Sequence, residues 1–315
     1  MSGLEPVMRQ HLVLIGPTAS GKSQLAMALA ERRLAQGELV ELIAVDSMQV
    51  YRGMNIGTAS PTAQEQERVK HHLIDVADPS EEYSVAEFTH AAQCALDDIE
   101  QRGGRAILVG GTALYVQALV DKLELPGRFP EVVAVLEAEP DTSSLYRQLS
   151  ELDAQAATRM EPSNRRRIIR ALEVTIGSGQ KFSDFGPGLD AYPETPYALA
   201  GLRVDRSVLA ERIAARYQQQ LRDGFVDEVR ALAAHPNGIS RTAAQALGYR
   251  ELLAHLAGDC SLDQAIQAAV DRTRQFAVRQ IRWFRRDPRI TFLDHVGDPE
   301  TVLDHLDTLW NSKQQ

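Results

Sequence analysis

At 315 residues, with 44% hydrophobic and 24% charged residues, the chain can bury a large core and lacks the charge excess of a disordered segment. No apolar run approaches the roughly 20 residues that a membrane helix needs, and the first ten residues, MSGLEPVMRQ, lack the apolar centre of a signal peptide. Cys94 and Cys260 lie far apart and form no CxxC pair, which argues against a zinc ribbon or a disulfide framework and makes a cytoplasmic enzyme the expectation.

The first predicted strand, HLVLI (11–15), runs into Gly16-Pro17-Thr18-Ala19-Ser20-Gly21-Lys22-Ser23 and then into a helix, SQLAMALAERRLA. This matches GxxxxGK[ST] between a strand and a helix, the setting of a phosphate-binding loop. Glycines let backbone N–H groups turn inward around phosphate oxygens, and the helix N-terminus adds partial positive charge. Lys22 brings a point charge, and the Ser23 hydroxyl can ligate Mg²⁺. A diphosphate or a triphosphate fits equally, so an ATP-dependent kinase is a natural reading.

The next strand, ELIAV (41–45), is expected to neighbour the first and ends in Asp46-Ser47-Met48-Gln49. A carboxylate at that strand end can accept a proton from an incoming nucleophile; it can equally cap the following segment or support a Mg²⁺ ion. HLIDV (72–76) is a third strand, and its neighbour His71 with His72 does not read as a metal pair, because adjacent strand residues face opposite ways. RAILV (105–109) runs into Gly110-Gly111-Thr112, where a Walker B strand would end in a Mg²⁺-holding aspartate, and no guanine-reading NKxD occurs.

From about 121 to 190 the pattern turns helical and polar, then rich in Gly and Pro. ALAGLRV (198–204) and ITFLD (290–294) resume the strands, and the segment after Asp205 is otherwise largely helical. Alternating strands and helices predict an α/β fold: a doubly wound, mainly parallel sheet around the P-loop, with a helical insertion domain. The expected domains are 1–120 with 191–315, and 121–190. Ligands on such sheets bind beyond the carboxyl ends of the strands.

The net charge of −9 counts against a nucleic-acid partner only on average, since phosphate binding depends on local basic surface. Arg165, Arg166, Arg167 and Arg170 form one basic cluster, and seven arginines between Arg272 and Arg289 face one acid, Asp287. Solvated helix faces are the plain alternative for both. Trp283 and Phe284, at helical spacing beside Ile281, read as core before they read as base-stacking residues.

Seven segments in order carry a resemblance. GPTASGKS, DSMQVYRGMNIGTASP (46–61), HHLIDV (71–76), VGGTALYVQAL (109–119), NRRRIIRALEV (164–174), TAAQALGYREL (242–252) and TRQFAVRQIRWFRRDP (273–288) together resemble the tRNA dimethylallyltransferase, or tRNA isopentenyltransferase, family. A kinase would be expected to share only the first.

The resemblance implies transfer of a dimethylallyl group from dimethylallyl diphosphate to N6 of adenine 37, beside the anticodon of tRNAs reading codons that begin with U. It implies that residues 16–23 wrap the diphosphate, with Lys22 and a Mg²⁺ ion held through Ser23 offsetting its charge. Thr18 would sit near the reacting carbon and Asp46 would be the general base, giving Asp46, Ser23 and Thr18 as the catalytic set. Asp46, Ser47, Met48 and Gln49 would line the base pocket. Further tRNA contacts would come from Thr112, Val133, Arg166, Arg167, Ile168, Ile169, Arg170, Gln245 and Arg279. The expected partners are the tRNA anticodon stem-loop and the prenyl donor, with no membrane and a monomeric state. Val133 and Val278 stand where the family usually carries a basic residue, and Arg282 where threonine is usual. A prenyltransferase acting on free adenine nucleotide and an ATP-dependent kinase remain the alternatives. A pure RNA-binding module leaves the pairing of phosphate loop and acid unexplained.

Overall fold

The computed structural model describes residues 10–186, 188–294 and 299–312. Residues up to Asp121 and from Glu194 onward form one compact unit, and Lys122–Pro193 form another. Among the described residues no helix is long and apolar enough to cross a membrane.

The first unit is built on a six-stranded parallel sheet. Its strands are β1 (Leu12–Ile15), β2 (Val40–Val45), β3 (His71–His72), β4 (Arg105–Gly110), β5 (Ala198–Arg203) and β6 (Thr291–Asp294), in the order β3-β2-β4-β1-β5-β6. Strand residues alternate between two cores. Leu12, Leu14, Leu42, Ile107, Ala198 and Ala200 face one side, and Val13, Ile15, Ile43, Val45, Leu108 and Leu199 the other. Burial on both faces explains why these strands are apolar at nearly every position.

The helices of this unit are α1 (Lys22–Ala35), α2 (Ala63–Arg68), α3 (Val85–Gln101) and α4 (Ala113–Val120). Helices α5 (Pro130–Ala138), α6 (Thr142–Leu152), α7 (Ala154–Thr158) and α8 (Arg165–Ser178) make the second unit. The chain then returns to the first with α9 (Arg206–Arg222), α10 (Phe225–Ala233), α11 (Arg241–Ala244), α12 (Tyr249–Leu256), α13 (Leu262–Phe284) and α14 (Pro299–Asn311). Capping boxes start α3, through Ser84 and Glu87, and α13, through Ser261 and Gln264. The buried stripe of α13 runs through Ile266, Val270, Thr273, Ala277, Gln280 and Phe284 at helical spacing, and so points Gln280 inward.

Two features depart from the sequence reading. β2 does not adjoin β1, because β4 lies between them. The third strand ends after His72, since Leu73 (φ 64°) and Asp75 (φ 54°) take the left-handed conformation that breaks a strand. The two histidines serve different partners: His71 Nδ1 lies 2.8 Å from the Val69 carbonyl, and His72 Nε2 lies 2.6 Å from Glu41.

Within the second unit, Leu136, Leu145, Leu149, Ile168, Ala171 and Leu172 form a separate core. Asp153, 1% exposed, accepts the N–H groups of Ala156 at 2.9 Å and Ser183 at 2.8 Å, capping α7 and holding the turn after α8. Arg165 donates to the carbonyls of Leu136, Glu137 and Glu139 at the end of α5, as a cation at a helix C-terminus should.

Candidate active site

Three loops leave the carboxyl ends of β1, β2 and β4 at one level, because Ile15 and Val45 both pair with Gly110. They carry residues 16–23, Asp46–Gln49 and Gly110–Thr112. The glycines between them are required by close approach. A Cβ on Gly110 would lie 2.0 Å from the Val45 carbonyl oxygen, and one on Gly111 would lie 2.3 Å from Gln280 Nε2. Beyond them, the Thr112 hydroxyl accepts the Ser47 N–H at 3.1 Å and lies 3.4 Å from the Ser47 hydroxyl. Asp46 is half-buried; its Oδ1 accepts the Met48 N–H at 2.9 Å, which closes the turn and leaves Oδ2 for another proton.

The loop 16–23 has the shape of an anion cradle. Ala19 (φ 62°) and Gly21 (φ 87°) are left-handed, which turns successive N–H groups to one side. The first turn of α1 contains no acid and has no side-chain cap, so its N–H groups stay open for an anion. The Ser20 hydroxyl is fully buried without a hydrogen-bond partner. Thr18 is half-buried, and its N–H donates to Gln280 Oε1 at 2.9 Å. Burial pushes the Lys22 amine down to about 8, Asp46 opposes the shift and Arg216 adds to it. An amine so placed becomes more basic when a diphosphate arrives.

Arg216 was not visible as a site residue in the sequence. It lies on α9, where Leu209, Ile213 and Gln220 are buried at helical spacing and Arg216 occupies the same stripe. Its Nε is buried with no hydrogen-bond partner, and its charge acts on both Lys22 and Asp46. A buried guanidinium without a full set of acceptors is poised for an anion. An arginine inside an apolar helical stripe was the available signal.

Mg²⁺ prefers oxygen ligands and keeps several waters, with substrate phosphates completing its shell. Among the described residues no group of three His, Cys, Asp or Glu could hold a metal alone. The exposed Ser23 hydroxyl at the end of the cradle is an oxygen donor of the kind that could join a Mg²⁺ shell completed by a diphosphate and water.

The residues expected to meet RNA have diverse surroundings. Gln49 donates to the carbonyls of Thr58 at 3.3 Å and Ala59 at 3.2 Å, while Met48 packs on the helical core beside Ala19 and Ile56. Gln245 and Arg279 are exposed, and the Arg279 guanidinium lies 5.7 Å from the Phe276 ring centre. Phe284 is 4% exposed and Trp283 is partly buried against the same core, so neither is a free stacking platform. In the second unit Arg166 and Arg167 are exposed and Val133 is half-buried. Ile168 has 0% exposure and belongs to that unit's core, so its side chain cannot reach an RNA, and Ile169 packs on the same core. Arg170 is bound to the Gly127 and Pro126 carbonyls and to Glu173. Of the run 166–170, Arg166 and Arg167 are the side chains open to a phosphate.

The family model described as IPP transferase matches residues 49–287. A tRNA dimethylallyltransferase of Streptomyces coelicolor is 45% identical over 309 residues, covering 97% of this chain and 96% of the relative. That of Geobacter metallireducens is 42% identical, covering 94% and 96%. Among solved structures, the full-length tRNA isopentenylpyrophosphate transferase of Bacillus halodurans is similar over 97% of this chain and 98% of its own, with 34% identity and a TM-score of 0.70. A eukaryotic dimethylallyltransferase solved in snapshots acting on tRNA is similar over 91% of this chain and 74% of its own, with 30% identity and a TM-score of 0.74. The chain belongs to the IPP transferase family.

Proposed function

We propose that this protein is a tRNA dimethylallyltransferase that moves the prenyl group of dimethylallyl diphosphate to N6 of adenine 37. The observation that carries the mechanism is the pairing of a cationic cradle, with Lys22 and Arg216, and a carboxylate, Asp46, two strands away. With parallel strands about 4.8 Å apart, the ends of β1 and β2 lie roughly 10 Å apart across β4, and the reacting carbon and the adenine edge would meet between the loops that leave them.

Adenine N6 is a weak nucleophile because its lone pair is delocalised into the ring. As the N6–C1 bond forms, the C1–O bond breaks and its electron pair leaves with the diphosphate. Lys22, Arg216 and the open N–H groups of α1 stabilise that leaving charge. Asp46 Oδ2 accepts the N6 proton, and its Oδ1 is already fixed by the Met48 N–H, which orients the carboxylate. Thr18, half-buried in the cradle loop, would lie near C1. Mg²⁺, held by the Ser23 hydroxyl and the diphosphate, would supply further offset of the negative charge.

An allylic cation is quenched by water, so the bound base itself must help to close the site. The target adenine must leave its stack, which is cheapest in a single-stranded loop such as the anticodon loop. Ser47, Met48, Gln49 and Thr112 would surround the extruded base. Arg166, Arg167, Gln245 and Arg279 would meet the backbone, fixing register without reading sequence. The protein is expected to act in the cytoplasm as a monomer.

The test is transfer of label from dimethylallyl diphosphate with Mg²⁺ to unmodified tRNA, run beside AMP and ATP as acceptors. Label in tRNA supports the reading. Label in the free nucleotide makes this a nucleotide prenyltransferase, and phosphate transfer from ATP makes it a kinase.

A further inference from the structure

We propose that Gln280 is the positioning residue that sets the separation between the donor cradle and the acceptor carboxylate, an inference that rests on the prenyl-transfer reading above. Gln280 lies in the buried stripe of α13 with 4% exposure. Thr273, Ala277 and Phe284 occupy the same stripe, and a leucine or methionine would fill that place without the cost of burying an amide. The amide repays that cost by joining two loops. Its Oε1 accepts the Thr18 N–H at 2.9 Å and its Nε2 donates to the Gly111 carbonyl at 2.8 Å. A backbone N–H can only donate and a carbonyl can only accept, so both ends of the amide are fixed in orientation.

Gly111 is fitted to this side chain, since a Cβ there would lie 2.3 Å from Nε2. The bridge continues past Gly111. The next residue, Thr112, accepts the Ser47 N–H at 3.1 Å, and Ser47 follows Asp46. A connected path of hydrogen bonds and short backbone links therefore runs from Thr18, beside the reacting carbon, through Gln280 to the proposed base. Gln280 touches neither substrate in this account. Its effect comes through the loops it holds, where a displacement of about 1 Å can cost about a hundredfold in rate.

The amide's double use makes the proposal testable by chemistry as well as by loss. Gln280→Met keeps length and removes both hydrogen bonds. Gln280→Glu keeps the acceptor for Thr18, and as a carboxylate it has no proton for Gly111. Once protonated, its hydroxyl can donate to the Gly111 carbonyl and restore the bridge, and burial against that carbonyl favours the protonated form.

The experiment measures kcat and both KM values for wild type, Q280M and Q280E from pH 6 to 8.5, with tRNA affinity from filter binding and Thr18 amide exchange in parallel. In Q280M, kcat falls about ten- to a hundredfold, tRNA affinity stays within about twofold, and Thr18 exchange quickens. In Q280E, the kcat ratio to wild type rises severalfold as pH falls. Wild-type kcat in Q280M, a flat Q280E ratio, or a loss confined to tRNA affinity would each overturn the proposal. If Q280M does not fold, the near-isosteric Q280E carries the decision. A wild type that transfers no prenyl group would contradict the reaction, and unchanged Thr18 exchange would then separately overturn the bridge.

Discussion

Lys22 is held in a place that suits the bound state better than the free protein, and replacing it should reveal the strain. Its amine falls from 10.5 to about 8, chiefly through burial. That difference corresponds to about 3 kcal/mol, an upper bound on the destabilisation that the charged amine imposes on the ligand-free fold. The sign follows from proton counts. The folded amine releases its proton near 8 and the unfolded one near 10.5, so between those values the unfolded chain holds more protons and the wild type gains stability as pH rises. The penalty is complete below about 8 and gone above about 10.5. Lys22→Met should therefore be more stable than the wild type at pH 7 by about 1–3 kcal/mol, or about 2–6 °C in Tm, and most of that gap should be gone by pH 10. Adding diphosphate with Mg²⁺ at about a thousand times the wild-type Kd should reverse the order, because the wild type then gains about 4.1 kcal/mol and the variant has lost the amine that binds it. Urea denaturation at both pH values, with and without diphosphate, measures this. A variant no more stable than wild type at pH 7, or a gap unchanged at pH 10, would refute the reasoning.

Further predictions use other residues. Asp46→Ala should lower kcat by about 10²–10⁴-fold while diphosphate affinity, read by calorimetry, changes little; retained turnover would remove Asp46 as the base. Arg216→Gln should raise KM for the prenyl donor about ten- to a hundredfold through lost charged hydrogen bonds, with KM for tRNA unchanged in steady-state kinetics. Replacing Arg166 and Arg167 together with glutamine should raise KM for tRNA and flatten its dependence on salt by about two counterions. Glu41, far from the site, tests the fold instead: burial alone would raise its carboxyl, but Arg102, His72 and Lys70 hold it at about 2, against 4.5 when free. Its contribution of about 2–3 kcal/mol is complete above about 4.5 and lost as pH falls toward 2. Glu41→Gln should accordingly cost that much at pH 7 and little at pH 2.5 in denaturant titrations.

The sheet and its carboxyl-end loops were legible because apolar strands and glycine-rich turns act over a few residues. Strand order was less accessible. A strand's neighbour depends on where a long crossover returns, and β4, which starts sixty residues after β2 ends and itself ends 88 residues before β5, inserts between β2 and β1 without any local mark. HLIDV reads as five strand residues by composition, yet the left-handed Leu73 and Asp75 are set by surroundings that composition does not carry. The site divided in the same way. Asp46 and Lys22 belong to compact motifs, whereas Arg216 stands alone on its helix and Gln280, although inside the segment 273–288, gains its meaning from a partner 262 residues away. Ile168 shows what a run of adjacent positions hides: on a helix their side chains cannot all face one ligand, and helical period places this one in the core.

The most direct test of the central claim follows both products in one reaction. Purified protein is incubated with labelled dimethylallyl diphosphate, Mg²⁺ and an unmodified tRNA reading codons that begin with U. Released diphosphate is counted, and the digested tRNA is mapped by mass spectrometry. One diphosphate should be released per N6-dimethylallyladenosine, located at position 37 and absent with Asp46→Ala. Diphosphate release without label in tRNA, or label at another position or atom, would contradict it.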